Sequence, residues 1–231
     1  MITISKSEQR GQANFSWLDS KHSFSFGSYY DPNNMGFSCL RVINDDVVAP
    51  NGGFETHGHR NMEIISFVLD GVIAHKDSEG NVETISTGEY QLMSAGSGIY
   101  HSEFNASSEE PLRFLQIWIE PNETHTPPSY QQQNFGKEAG LTPIATPSGE
   151  NGTFRIKQNA SLYQLVLKPN QELNFELLKG RNLYVHHVEG ALSIDNNQVR
   201  GGDGVKIQQS NNVQLKNEGS ENTLTLLFEL P

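Results

Sequence analysis

Two pairs of residues carry the chemistry of this chain: His57 with His59, and His101 with Glu103. The members of each pair stand two apart, and in an extended strand that spacing puts both side chains on one face. Three imidazoles and a carboxylate form a ligand set for a divalent transition metal. None of the four is a thiol, so the site loads at neutral pH without thiol deprotonation. Four protein ligands in an octahedron leave two positions open, which separates a catalytic site from a structural one. Glu63 is a rival ligand, because it follows His59 by four residues and strand parity aims it the same way. Five protein ligands would leave one vacancy, so Glu63 and Glu103 are not both expected to bind, and parity does not choose between them.

A plainer reading makes His57 and His59 two surface histidines on a polar strand. The second segment, His101-Ser102-Glu103 behind the glycine-rich turn Ala95-Gly96-Ser97-Gly98, weighs against it. The other histidines lack such company. His22, His75 and His125 have no partner at ligand spacing and are read as solvated or locally hydrogen bonded. His186 and His187 are adjacent, so on a strand they face opposite ways. Gly96-Ser97-Gly98 is too short for a phosphate-binding loop, no Gly-x-Ser-x-Gly elbow is present, and Cys39 reads as a small core residue.

The elements that must position these residues read as short strands. The 231 residues are 35% hydrophobic with 21 Gly and 10 Pro, which suits an all-β protein. Strand-like runs cover Ser38 to Ile43, Glu63 to Leu69, Val72 to His75, Val82 to Ile85, Glu89 to Met93, Ile99 to Phe104 and Leu112 to Ile119. The first is expected to end at Asn44-Asp45-Asp46, and Asp77 to Asn81 reads as a hairpin loop. A short helix around Asn134 to Gly140 is the one exception considered. Glu120 to Ser129 has a linker's composition. Strands resume at Ser161 to Leu167, Leu183 to His187, Ala191 to Ile194, Val205 to Gln208 and Thr223 to Glu229. The halves share a pattern of strand, acidic-Gly turn, hairpin and Gly-acidic turn, which predicts a duplicated β-barrel unit. The expected division is a metal-binding barrel over residues 1–120, a linker over 121–132 and a metal-free barrel over 133–231, with terminal segments free to cross.

Sixteen basic against 27 acidic residues give a formal charge of −11, with no basic run for phosphates or an anionic membrane. No direct nucleic-acid or membrane partner is expected. One cysteine excludes an intrachain disulfide, and the polar N-terminus lacks a signal-peptide core, so the chain is expected to be cytoplasmic. It is expected to act as a monomer.

Gly53 to Glu63 followed by Gly88 to Asn105 resembles the two cupin motifs. His22 to Pro32, Leu40 to Asp46, His59 to Ser66, Ala95 to Glu103 and Leu115 to Ile119 with Pro128 to Gln131 resemble the pirin family in several blocks in order. The resemblance is dense over residues 15–132 and thin afterwards. It implies an all-β bicupin: two jelly-roll barrels in tandem, with short helical or loop connections and a degenerate second barrel. It also implies His57, His59, His101 and Glu103 as the metal ligands, with Glu63 in a supporting position. The ion it implies is iron first, with nickel, cobalt, manganese, copper or zinc as alternatives. Gly58 departs from a Pro common between the two histidines, which would loosen that turn; Thr87 and Leu92 depart from a Pro and a Trp before the second motif. Relatives are described as quercetin 2,3-dioxygenases, which implies a flavonol and O2 as partners and Glu103 as the base. Others are regarded as iron-dependent co-regulators, which implies a metal- or redox-responsive module with a protein partner. A different cupin enzyme, such as an isomerase, would need basic groups near the metal, and Arg60 is the obvious one.

Overall fold

The structure, a computed structural model, describes residues 1–231. Apart from two single-turn 3-10 segments, Ser7–Gln9 and Glu150–Gly152, its regular elements are strands. The chain divides into two compact units. The first comprises Gly11–Gly136 with Ile156–Gln158; the second comprises Met1–Arg10, Lys137–Arg155 and Asn159–Pro231. The first strand, Ile2–Ser5, joins the second unit by pairing with Gly204–Ile207. Each unit is a sandwich of one seven-stranded and one four-stranded sheet, the tandem jelly-roll arrangement of a bicupin.

In the first unit the larger sheet runs Ser129–Asn134, Glu89–Ser94, Glu63–Asp70, Leu112–Ile119, Leu40–Val48, Leu18–His22, Gly11–Phe15. The smaller runs Gly53–His59, Ile99–Asn105, Val72–Asp77, Val82–Ser86. Every neighbouring pair in both sheets is antiparallel. Alternation along the strands sends one set of side chains between the sheets. At one end these are apolar: Leu18, Val48, Val68, Leu112 and Phe114 meet Ile73 and Ile85. Each such side chain contributes about 1.5–3 kcal/mol on burial. Two residues further along each strand the interior turns polar. Directly opposed pairs His22–Asn44, Asn44–Gln116, Gln116–Ser66 and Ser66–Gln91 cross the larger sheet as a buried belt. A barrel filled only for stability has no use for such a belt, since each group needs a hydrogen-bond partner.

Three local expectations differ from the structure. The strand expected to end at Asn44-Asp45-Asp46 runs through them to Val48. Partner strands on both sides hold this segment extended, and its polar residues split by parity. Asp45 takes Arg113 in a bidentate pair at 3.0 and 3.1 Å, while Asn44 and Asp46 are buried. Ser129–Asn134, flanked by linker-like sequence, is an edge strand paired with Glu89–Ser94. No helix forms after it: Gly136 is left-handed (φ 79°), and its N–H donates to Asn134 Oδ1 at 2.8 Å, closing a turn.

The second unit is filled by aliphatic side chains from both sheets, among them Leu165, Leu183, Val185, Leu192, Val205 and Leu227. His187 spends both ring nitrogens on Thr225 Oγ1 (2.9 Å) and the Gly190 carbonyl (3.0 Å). Its interior resembles a packed core, with no second set of histidines at ligand distance.

Candidate metal centre

The smaller sheet of the first unit brings the sequence pairs together. His57 lies directly opposite His101 on the neighbouring strand, and His59 is two residues along. The ligand atoms of His57, His59 and His101 all lie within 4.8 Å of one another. A β-bulge helps set this geometry: Glu55 and Thr56 together face the single residue Ser102. Gly53 permits the close approach beside it, because a Cβ there would meet the Glu103 carbonyl oxygen at 2.5 Å. Gly58 is held in the strand opposite Tyr100, whose ring covers it, so the turn expected to loosen there is a paired strand.

The bulge also fixes a tautomer. His57 Nδ1 lies 2.7 Å from the Glu55 carbonyl, which can only accept, so Nδ1 carries the proton and Nε2 is bare. That Nε2 faces His101 Nε2 at 3.1 Å, and His59 Nε2 is buried without a partner. Burial pushes His59 down to about 4, helped by the neighbouring His101 and His57, and burial lowers His101 as well. Burial thus favours the neutral form of His59 and His101, and His57 adds its bare Nε2 to a set of ring nitrogens that all lie within 4.8 Å of one another. A divalent transition metal satisfies that arrangement.

Glu103 stands beside the three histidines and is held from the opposite sheet. Ser66 Oγ donates to its Oε1 at 3.0 Å and Gln116 Nε2 to its Oε2 at 2.9 Å. Burial opposes its charge, but His101, the Gln116 donor, His75 and the Ser66 donor outweigh this and hold the carboxyl below its ordinary value. Its oxygens come within 4.8 Å of ligand atoms of His101 and His75 rather than joining the three-histidine set. Glu63 points elsewhere. The left-handed residue Asn61 (φ 49°) turns the chain from the smaller sheet into the larger. There the Glu63 carboxylate accepts from Ser94 Oγ (2.8 Å) and the Lys157 N–H (3.1 Å). Parity with His59 does not carry across that turn, so Glu63 is neither a rival ligand nor a support for one.

Four further residues adjoin the site. His75 is buried opposite Glu103, with Nε2 at 3.2 Å from Asp77 Oδ2. Ser66 and Gln116 grip Glu103, and Trp118 packs edge-on against His59 with ring centres 5.0 Å apart. The signal was available for His75, since His75 and Asp77 are themselves two apart on a strand. His22 is also buried, against Phe26. His125 is exposed.

A cleft of ≈ 690 Å³ opens onto His57 and His59. Its walls are largely aromatic, from Trp17, Phe26, Phe54, Phe104 and Trp118, with Gln116 as a polar contact. Flat apolar walls with few polar groups suit a planar aromatic ligand. Arg60 lines a separate hollow of ≈ 240 Å³ that His59 also borders.

Deeper in the barrel, burial pushes Asp46 up to about 7, with Asp45 and Glu103 adding to the rise and Ser20 opposing it. A raised carboxyl contributes stability that is present below its unfolded value and is lost as pH rises through 7. The shift corresponds to about 4 kcal/mol at most. Asp46→Asn should therefore be more stable than the parent chain at pH 8, and the advantage should shrink as the pH falls toward 5. Urea unfolding at both pH values measures this, and equal differences at the two would contradict it.

The pirin family model matches residues 4–119, and a quercetinase C-terminal cupin domain model matches residues 143–230. A protein of Escherichia coli (strain K12) named quercetin 2,3-dioxygenase is 41% identical over 231 residues, covering 100% of this chain and 99% of that protein. The crystal structure of the bacterial pirin YhhW from Escherichia coli in complex with nickel(II) superposes with a TM-score of 0.96 at 41% identity, covering 100% of this chain and 99% of that one. A pirin-like protein of Caulobacter vibrioides is 39% identical over 212 residues, 90% of this chain and 91% of its own.

Proposed function

The chain belongs to the pirin family, and from that premise we propose that it is a metal-dependent dioxygenase that cleaves flavonols such as quercetin. The observation that carries the reading is the aromatic cleft ending on the bare nitrogens of His57 and His59. A regulatory module acting through a protein partner would be served by a closed site, and an open cleft of this size favours turnover. In this reading His57, His59 and His101 hold the ion, with Glu103 beside them as the fourth candidate ligand and the base. The neighbouring Escherichia coli structure holds nickel; iron, cobalt, manganese, copper and zinc suit the same nitrogen and oxygen donors. When bound, the ion supplies an electron-withdrawing centre next to the substrate and a meeting place for it and O2.

The protein residues do the rest. Trp17, Phe54 and Trp118 hold the flat rings by contact and keep water from the reacting face. The Glu103 carboxylate, ionised at neutral pH, takes the proton from the flavonol 3-hydroxyl. Ring opening places both atoms of O2 in the carboxylate ester product and releases one ring carbon as carbon monoxide. Metal-loaded protein should consume O2 and release carbon monoxide in equal amounts with quercetin. The absence of O2 uptake with all of these metals would overturn the proposal.

A further inference from the structure

We propose that Gln116 is the positioning residue for Glu103, the group that aims its carboxylate at the substrate's proton. The inference rests on the flavonol-cleaving reading above and concerns how its base is held. Glu103 is buried and takes one donor on each oxygen, Ser66 Oγ on Oε1 and Gln116 Nε2 on Oε2. One donor per oxygen leaves lone pairs on both, so the carboxylate is oriented yet still able to accept a proton.

The two donors differ. A hydroxyl rotates, so Ser66 follows the carboxylate wherever it turns. Gln116 cannot follow in that way, because its Oε1 accepts from Trp118 Nε1 at 3.3 Å. Flipping the amide would set its oxygen against the Glu103 carboxylate and its NH2 against the indole N–H. Trp118 is in turn packed against His59. The amide is therefore fixed at one end by an aromatic ring of the cleft wall and grips the base at the other. Gln116 lines the cleft itself, whereas Ser66 is fully buried. This makes Gln116 the link between ligand seated on the wall and the base below it.

The test is anaerobic, so that no turnover occurs, and uses nickel-loaded protein with metal content measured for each variant. Quercetin that has lost its 3-hydroxyl proton absorbs at longer wavelength than the neutral flavonol, whereas its 3-O-methyl ether has no such proton to lose. The wild type should bind both and give the long-wavelength band with quercetin. Per molecule of quercetin bound, with occupancy measured for both ligands, Gln116→Leu should give at least about tenfold less of the ionised flavonol, as expected for loss of an oriented donor. Gln116→Asn, too short to span Trp118 and Glu103, should behave like Gln116→Leu. Ser66→Ala should lose less. If the leucine variant does not fold, the asparagine and alanine variants carry the comparison. A full ionised band per bound quercetin in Gln116→Leu or Gln116→Asn overturns the inference and leaves the flavonol reading standing. No ionised band in the wild type itself overturns the flavonol reading, and this inference with it.

Discussion

His101→Ala should abolish stoichiometric binding of a divalent metal. His101 is the one member of the three-histidine cluster that is fully buried, and its Nε2 faces that of His57 at 3.1 Å. Alanine leaves two imidazoles from one strand and, on the strand opposite, only the carboxylate of Glu103. Removing a residue that merely supports a metal ligand costs 10–100-fold in affinity, so removing a ligand should cost more than ~100-fold. Nickel titration of chelator-treated protein, read by calorimetry, measures the loss directly. His57→Ala should behave similarly, although His57 is partly exposed and a water could replace its nitrogen. A stoichiometric metal retained in His101→Ala would place the ion elsewhere. The buried set His75, His101 and Glu103 shares this residue, so the variant tests both arrangements around it.

The site was legible where its geometry follows from strand alternation alone. His57 with His59 and His101 with Glu103 share faces because each pair lies within one strand, and their opposition needs only that the two strands be neighbours. Glu63 failed the same argument because left-handed Asn61 sends the chain into another sheet, and parity counts only along one strand. His75 has Asp77 two residues on, but the tie that brings it to the site, Glu103, lies across a strand pair with no fixed spacing in sequence. The polar belt hid in the same way. Asn44, Ser66, Gln91 and Gln116 come from four strands, and register alone lines them up. Turn-forming residues misled once, at Asn44-Asp45-Asp46, where pairing on both sides outweighed their local preference. The strand Leu112–Ile119 was legible to the residue, since burial on both faces leaves it apolar except at Arg113 and Gln116.

The second large effect concerns the base. Glu103→Gln should retain the metal at the three histidines and lose turnover of quercetin by about 10²–10⁴-fold in kcat, the range for removing a general base. The replacement is nearly isosteric, so the apolar packing is kept, but the charge that accepts the proton is gone. The surrounding donors sharpen the effect. Ser66 and Gln116 both donate to Glu103, and a glutamine there presents an NH2 to one of them. Ser66 can turn its hydroxyl to accept, whereas Gln116 is tied to Trp118, so the new amide settles with its oxygen toward Gln116. The side chain is then ordered, and the lost rate reports the missing proton acceptor rather than a displaced residue. Against the opposing effect of burial, His101 and the Gln116 and Ser66 donors hold the parent carboxyl below its ordinary value, so at neutral pH it is ionised. Glu63→Gln is the control, because that carboxylate is spent on Ser94 and the Lys157 N–H in the other sheet. It should leave kcat within about threefold of the parent, as for a residue outside the reacting group's reach. Rapid turnover in Glu103→Gln with a slow Glu63→Gln would exchange their roles.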